Sequence, residues 1–160
     1  MGLKKRVAVS FAKRVKKNLL KNASLAQETQ IKVLQSLINS GSKTLYGKDH
    51  GLTEAMDYEA FKAAIPARDY EAFRPYVEKV KANEVDILWP GRPDYLCKTS
   101  GTTSGAKYIP LTKESLKTQI AAARNALLCY IAETGKAEFL DGKMIFLQGS
   151  PVLETLPSGM

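Results

Sequence analysis

Residues 98–110 decide how the rest of the chain is interpreted. They read Lys98-Thr99-Ser100-Gly101-Thr102-Thr103-Ser104-Gly105-Ala106-Lys107-Tyr108-Ile109-Pro110. Seven of these residues are Gly, Ser or Thr, and the polar run closes with a lysine. Apolar residues stand on both sides of the run, at 95–97 and at 108–111. This pattern predicts a strand, a loop and a second strand.

The composition of this segment, which we call the Ser/Thr/Gly loop (residues 98–110), suits a polyphosphate ligand. Glycines let several backbone N–H groups turn towards one anion. Hydroxyl groups add neutral donors, and a lysine adds a compact positive charge. The alternative interpretation is a solvated linker, for which Ser, Thr and Gly are equally common. The flanking apolar runs favour the phosphate loop.

Two familiar nucleotide loops do not fit. A P-loop needs four residues between its glycines and then Gly-Lys-Ser/Thr. Here three residues separate Gly101 from Gly105, and Ala106 precedes Lys107. The dinucleotide pattern Gly-x-Gly-x-x-Gly at a strand-to-helix turn is also missing.

A third pattern does fit. The run Ser-Gly-Thr-Thr followed by Lys resembles the signature of enzymes that make acyl-adenylates. The version with Ser104-Gly105 before the lysine, followed by Tyr-Ile-Pro, resembles the Gretchen Hagen (auxin-responsive promoter) family of acyl acid-amido synthetases, bacterial relatives included. The broader superfamily usually has a proline before this lysine, which is alanine here. The resemblance covers about residue 44 to the end, and it corresponds to the N-terminal third or so of such an enzyme.

The resemblance implies a ligase. A carboxylate attacks the α-phosphorus of ATP, pyrophosphate leaves, and an amine such as an amino acid converts the acyl-adenylate into an amide. Lys107 is then the catalytic cation beside the β- and γ-phosphates, the hydroxyls donate hydrogen bonds, and the glycines admit the phosphates to the backbone. ATP and Mg²⁺ are the expected cofactors, with no magnesium ligand identified. The predicted ATP-binding residues are Ser100, Gly101, Thr102, Thr103, Ser104, Gly105 and Lys107.

The first 21 residues carry the net charge of +8. They contain eight basic residues and no acidic one, so the other sixteen basic residues balance the sixteen acids. Residues 2–20 predict an amphipathic helix whose stripe recurs every four residues, and we expect that stripe to pack on the body of the protein. The alternatives are a membrane-surface helix, which we favour less, an organelle-targeting segment, or a polyanion contact. The stripe is Leu3, Val7, Phe11, Val15 and Leu19.

Further helices are predicted along the chain. Ser24 and Gln27 form a capping box for a second helix, which ends near Gly41. Residues 44–51 look like a polar loop. Aspartates open helices near 57–64 and 69–82, and a long helix follows Thr112. Residues 144–147 predict a buried strand, followed by a turn at 148–151.

We therefore predict an α/β fold: a helical N-terminal segment leading into the start of a mixed-sheet N-terminal domain of adenylate-forming enzymes, which is incomplete here. The domains would be a basic helical hairpin at 1–43 and the first part of the adenylate-forming domain at 44–160, with the phosphate loop at 98–110.

The expected partners are a small carboxylic acid and an amine or amino acid, with no nucleic acid. Apolar content of 44% suits a globular protein, and no apolar run is long enough to span a membrane. Cys97 and Cys129 are interpreted as buried, reduced thiols of a cytoplasmic protein. The chain alone is expected to be inactive, whether it is part of a longer protein or the product of a shortened gene. The alternative function is a non-catalytic, truncated nucleotide-binding or interaction module with a basic N-terminal helix.

Overall fold

The computed structural model describes residues 3–99, 106–143, 145 and 153–159. Within these residues the chain is mostly helical, and its strands form a two-stranded antiparallel sheet. A short 3-10 helix lies at Glu138–Asp141. Helices lead into the strand pair, which confirms the predicted fold class. The elements are α1 (Leu3–Ser24), α2 (Ala26–Gly41), α3 (Leu45–Asp49), α4 (Tyr58–Ala64), α5 (Tyr70–Lys81), β1 (Tyr95–Lys98), β2 (Tyr108–Leu111) and α6 (Lys113–Thr134).

Polar side chains fix where α4, α5 and α6 begin. Asp57 Oδ1 accepts a hydrogen bond from the N–H of Ala60 at 2.9 Å, and Asp69 Oδ1 accepts from Ala72 at 3.1 Å. The helix start leaves N–H groups without helical partners, and each aspartate satisfies one of them. These helix starts are confirmed as predicted.

The chain forms two compact units. The first consists of Met1–Gln27 with Lys117–Leu153, and the second of Glu28–Leu116 with Glu154–Met160. The predicted helical hairpin and the domain boundary after residue 43 stay predictions. The segments 144, 146–147 and 148–151 of the predicted strand and turn lie outside the described residues.

Three residues from α1, α6 and the segment after α6 form the core of the first unit. Ala12, Ile131 and Ala137 are 0%, 2% and 1% exposed. Burying an isoleucine side chain contributes about 1.5–3 kcal/mol to stability. Partly buried apolar residues surround this core: Ala8, Val9, Leu128, Ala132 and Phe139.

The predicted stripe on α1 is not the surface that packs, and this expectation was wrong. Leu3, Val7 and Phe11 are 78%, 61% and 54% exposed, whereas Val15 and Leu19 are half-buried. A helix turns once every 3.6 residues, so residues spaced by four drift by about 40° at each step. The stripe therefore winds around the helix, and only its C-terminal end comes near the core.

Two further local predictions need correction. Ser24 is the last residue of α1, and its hydroxyl donates to the carbonyl of Lys21 at 2.7 Å, so it does not cap α2 with Gln27. Cys97 is exposed and Cys129 is half-buried, and both thiols are free. The Ser24 hydroxyl bonds back to its own helix, and such a bond competes with capping of the next helix.

The second unit contains a short helix, α3, within residues 44–51, which the sequence predicts as a loop. The first N–H groups of α3 bond to backbone carbonyls that are far away in the sequence. Leu45 N–H donates to the carbonyl of Asp86 at 2.7 Å, and Tyr46 N–H donates to that of Ile87 at 3.0 Å. Tertiary contact supplies the partners that a local sequence cannot show. The buried apolar residues of this unit include Ile38, Leu52, Val77, Val80 and Ile87.

The junction between α2 and α3 is tightly packed. Thr44 is 1% exposed, and its hydroxyl donates to the carbonyl of Gly41 at 2.7 Å while accepting from the N–H of Gly47 at 3.0 Å. A Cβ placed on Gly47 would lie 2.0 Å from the carbonyl oxygen of Gly41. Gly47 therefore serves close backbone approach rather than an unusual dihedral angle.

In the part of the chain that the structure describes, no helix combines the length and apolar character that crossing a bilayer requires.

Candidate functional site

The two strands form a hairpin that brackets the Ser/Thr/Gly loop. The register pairs Tyr95 with Leu111 at one end and Lys98 with Tyr108 at the other. Beyond the last pair, the N–H of Thr99 donates to the carbonyl of Lys107 at 2.9 Å. The two ends of the predicted phosphate loop are thus held side by side, as the strand-loop-strand interpretation requires.

Most of the predicted ATP-binding residues lie outside the described residues: Ser100, Gly101, Thr102, Thr103, Ser104 and Gly105. Their roles stay predictions. Lys107, the predicted catalytic cation, is described and is half-buried directly before β2.

Tyr70, the first residue of α5, holds the start of β2. The N–H of Tyr108 donates to the Tyr70 hydroxyl oxygen at 2.8 Å, and that hydroxyl lies 3.3 Å from the Tyr108 carbonyl, to which it donates. One side chain thus satisfies both backbone groups of the strand residue next to Lys107. Since Asp69 caps the same helix, the position of Tyr70 is fixed by the start of α5.

Lys107 lies within a small charged cluster on the Tyr70 ring. Its Nζ is 5.6 Å from the ring centre, and the guanidinium carbon of Arg74 is 5.4 Å from the same centre. Arg74 also donates to both carboxylate oxygens of Glu71, from Nε and Nη2, each at 2.7 Å. Both cations are within the range of cation–π attraction.

The charges of this cluster shift two pKa values. The pKa of Glu71 lies below its ordinary value, chiefly because Arg74 donates hydrogen bonds to its carboxylate; the charges of Arg74 and Lys107 add to the effect, and partial desolvation opposes it. The hydrogen bonds to Glu71 raise the pKa of Arg74. The Glu71–Arg74 pair therefore stays ionised at neutral pH.

A second contact from α5 reaches the ring of Tyr108. Lys81 Nζ lies 4.9 Å from the ring centre and is also paired with the Glu78 carboxylate, at 2.9 and 2.8 Å. Helix α5 thus contacts the first residue of β2 with a side chain from each of its ends, Tyr70 and Lys81. The exit strand of the loop is held by the helix as well as by its partner strand.

An open cleft of about 570 Å³ lies elsewhere in the second unit, between α3 and α5. Tyr76 donates from its hydroxyl to Asp49 Oδ2 at 2.9 Å. Burial raises the pKa of Tyr76, and the hydrogen bond to Asp49 adds to the rise. The Tyr46 ring stacks on His50 with centres 4.1 Å apart and on Phe73 at 5.3 Å. These rings mainly pack against one another.

Potential metal ligands do not cluster within the described ranges. Residues 3–99, 106–143, 145 and 153–159 contain no group of three His, Cys, Asp or Glu side chains positioned to hold one ion. No described residue is therefore assigned to magnesium.

A comparison with protein families decides the family of the chain. The model of the GH3 family N-terminal domain matches residues 15–156. The chain belongs to the GH3 family. This is the Gretchen Hagen family that the Ser/Thr/Gly loop indicates, so the resemblance is confirmed. The match begins well before residue 44, the expected start of the resemblance, and it includes α2 and the second half of α1.

Curated relatives of this GH3 chain are named as amido synthetases. The indole-3-acetic acid-amido synthetase GH3.15 of Arabidopsis thaliana is 32% identical over 97 residues, which cover 59% of this chain and 16% of the relative. The jasmonoyl–L-amino acid synthetase JAR4 of Nicotiana attenuata is 24% identical over 140 residues, covering 86% of this chain and 23% of the relative. The chain thus spans less than a quarter of the length of these relatives.

Sequence reasoning on this GH3 chain missed the role of Tyr70. Its hydrogen-bond partner in β2, Tyr108, lies 38 residues away in the chain. Helical spacing alone predicts that Tyr70 is a core residue. Only the fold brings its hydroxyl to the backbone of Tyr108.

Proposed function

We propose that this chain is the N-terminal, phosphate-binding part of an ATP-dependent acyl acid-amido synthetase. Membership of the GH3 family and the names of the curated relatives support a ligase that joins an acid to an amine. The observation that carries the proposal for this stretch is the hairpin, which presents Lys107 at the end of a Ser/Thr/Gly loop.

The proposed reaction has two steps. A carboxylate oxygen attacks the α-phosphorus of ATP, the bond from that phosphorus to the bridging oxygen of the β-phosphate breaks, and pyrophosphate leaves. The amine nitrogen then attacks the acyl carbonyl, loses a proton, and AMP leaves with the electrons of the broken carbon–oxygen bond. The first step concentrates negative charge on the phosphates, so it needs positioned donors and a cation.

Lys107 supplies the cation in this proposal. Its ammonium group lies on the Tyr70 ring, and Tyr70 also fixes the strand that carries it. A lysine already held next to a fixed strand loses less conformational freedom when it meets a phosphate. The hydroxyls of Ser100, Thr102, Thr103 and Ser104 would donate to the phosphates, and Gly101 and Gly105 would let the backbone approach.

Magnesium would accompany ATP and neutralise part of its charge. Because the described residues offer no cluster of ligands, we assign none of them to the ion. The substrates belong to the classes of small carboxylic acids and amines or amino acids. The proposal includes a cytoplasmic location, where free thiols such as Cys97 and Cys129 stay reduced.

The test is ATP–pyrophosphate exchange with a panel of carboxylic acids. The longest natural form of the protein is measured beside the 160-residue chain. We expect acid-dependent exchange in the long form. Lys107→Ala should reduce it by roughly two to three orders of magnitude, the usual cost of removing one donor that stabilises developing charge.

Lys113→Ala is the matched control, because Lys113 is an exposed lysine at the start of α6, beyond the far end of β2. It should keep the exchange rate of the unaltered protein. If no acid supports exchange in a folded long form, the synthetase proposal fails. The alternative, a non-catalytic binding module, would then be preferred.

A further inference from the structure

The outward side of α1 carries an exposed apolar strip. Leu3, Val7 and Phe11 are all more than half exposed, although they follow one another at a spacing of four on one helix. Three residues at that spacing cover about 80° of the helix circumference. The helix packs through its other side, at Ala12, so the strip faces away from the core of its own unit.

Basic side chains surround the strip. Lys5 and Lys16 pair with acids near the core: Lys5 Nζ is 3.4 Å from Asp141 Oδ2, and Lys16 contacts Glu133. The remaining bases of α1 make no ion pair with the residues that the structure describes, and α1 itself contains no acid. These bases are Lys4, Arg6, Lys13, Arg14, Lys17 and Lys21.

The strip and the bases share one side of the helix. Lys21 follows Leu3 by 18 residues, which is five full turns, so both occupy the same angular position. Arg14 lies within about 20° of Val7 by the same arithmetic. Along this side Arg6 lies among the apolar residues, and Arg14, Lys17 and Lys21 follow them along the helix axis. We call the residues Leu3, Arg6, Val7, Phe11, Arg14, Lys17 and Lys21 the outer face of α1.

We propose that the outer face of α1 binds the surface of an anionic lipid bilayer. The helix would lie in the plane of the membrane, with Leu3, Val7 and Phe11 at the boundary between headgroups and acyl chains. The basic side chains would extend to the lipid phosphates. This function is separate from the ligase reaction, and the whole apolar strip precedes residue 15, where the family match begins.

Other partners match only half of this surface. A nucleic acid would use the positive charges but would leave Phe11 and its apolar neighbours in water. A second copy of the chain would cover the apolar strip but would bring two strongly positive faces together, which is unfavourable. An anionic bilayer offers apolar contact and negative charge in one surface, and the cytoplasmic leaflet is of this kind.

The experiment is co-sedimentation of the 160-residue chain with vesicles. Vesicles of phosphatidylcholine alone are compared with vesicles that also contain phosphatidylserine, at low and at high salt. We expect binding to the anionic vesicles, little binding to the neutral ones, and weaker binding at high salt.

Two sets of variants separate the apolar contribution from the charge contribution. The double variant Val7→Ser and Phe11→Ser should lower the partition coefficient roughly tenfold or more, because it removes apolar area and keeps every charge. Lys17→Gln and Lys21→Gln should each lower it about fivefold. Thermal unfolding of each variant verifies that the fold is intact.

The controls alter the same residue types elsewhere. Ile31 and Leu37 on α2 are exposed to the same degree as Val7 and Phe11, at 61% and 50%, so Ile31→Ser with Leu37→Ser matches the apolar variant. Lys113→Gln matches the charge variants. Both controls should bind vesicles as the unaltered chain does.

Three outcomes overturn the proposal. Equal binding to neutral and anionic vesicles would remove the role of charge. Unchanged binding by the Val7/Phe11 variant would leave only a general polyanion contact, and equal affinity for duplex DNA would confirm that contact. Self-association without lipid binding, measured by light scattering, would assign the outer face to a second copy.

Discussion

Helices α1 and α5 both carry apolar residues at regular intervals, yet they use them in opposite ways. On α5 the inward residues are Tyr70, Phe73, Val77 and Val80, with spacings of three, four and three. These spacings average close to one helical turn, so the residues stay on one side, and Val77 and Val80 are 2% and 3% exposed. On α1 a constant spacing of four leaves Leu3, Val7 and Phe11 outside.

The two helices also differ in what holds them. Helix α1 uses the small side chain of Ala12, with ion pairs from Lys5 and Lys16. Helix α5 uses larger aliphatic side chains and hydrogen bonds from Tyr70 to the hairpin. The comparison teaches that regular apolar spacing alone does not identify the buried side of a helix.

The sharpest test compares one residue type on both helices. Val77→Ala should lower the free energy of unfolding by about 2–3 kcal/mol, because it removes buried methyl groups and leaves a cavity. Val7→Ala should change it by less than about 0.5 kcal/mol, as is usual for an exposed position. Urea denaturation of both variants measures the difference. Equal losses would contradict the assignment of Val7 to an exposed surface.

A second test compares neighbouring residues on α1. Ala12→Leu should destabilise the protein by about 2 kcal/mol, since Ala12 is fully buried and the larger side chain has no space. Phe11→Ala, one position earlier, should leave the unfolding midpoint nearly unchanged. If Phe11→Ala is the more damaging change, α1 packs through its apolar stripe after all.

The link between α5 and the hairpin is tested by Tyr70→Phe. The change removes the hydroxyl that accepts from Tyr108, and it should cost about 1 kcal/mol in unfolding free energy. Hydrogen exchange should show faster exchange of the Tyr108 amide, while the ring under Lys107 is retained. Tyr58→Phe is the control, because Tyr58 is exposed and its hydroxyl makes no hydrogen bond within the described residues. An unchanged Tyr108 amide would show that the strand does not depend on Tyr70.

The smallest expected effect is a pH dependence on α5. The pKa of Glu71 is lowered in the folded protein, so its pair with Arg74 contributes at pH values above the ordinary pKa of 4.5. That contribution is lost as the pH falls through the folded-state pKa. We expect Glu71→Gln to be slightly less stable than the unaltered chain at neutral pH, with the difference disappearing in acid. Glu59→Gln is the control. If the denaturation midpoints of Glu71→Gln and of the unaltered chain differ by the same amount across the whole acid range, the prediction is contradicted.

The local parts of the fold could be predicted from the sequence. Aspartates 57 and 69 mark helix starts because a capping interaction involves residues only three apart. The hairpin follows from apolar runs on either side of a polar loop. The caps join residues three apart, and the two strands are joined by a single loop.

Apart from the Ser24 cap, which a local hydrogen bond to Lys21 prevents, the parts that failed depend on distant contacts. The first N–H groups of α3 bond to carbonyls of residues 86 and 87, which no local pattern reveals. The side of α1 that is buried depends on its packing against α6 around Ile131, and the four-residue stripe alone does not reveal this packing. At the site, Lys107 could be chosen from the motif, whereas Tyr70 could not, since its partner is 38 residues away.

The contact between Gly41 and Gly47 has a consequence for how this chain can vary. Gly47 lies in α3 with no left-handed dihedral angle, so substitution tables for helices would accept alanine there. The carbonyl of Gly41 occupies the space that a Cβ on residue 47 would need. We therefore expect no substitution of Gly47 to survive in a library of single-codon variants. Gly51, which has a φ of +66° and open space around it, should still admit asparagine. Of two glycines four residues apart, the one with the ordinary backbone is therefore the less replaceable.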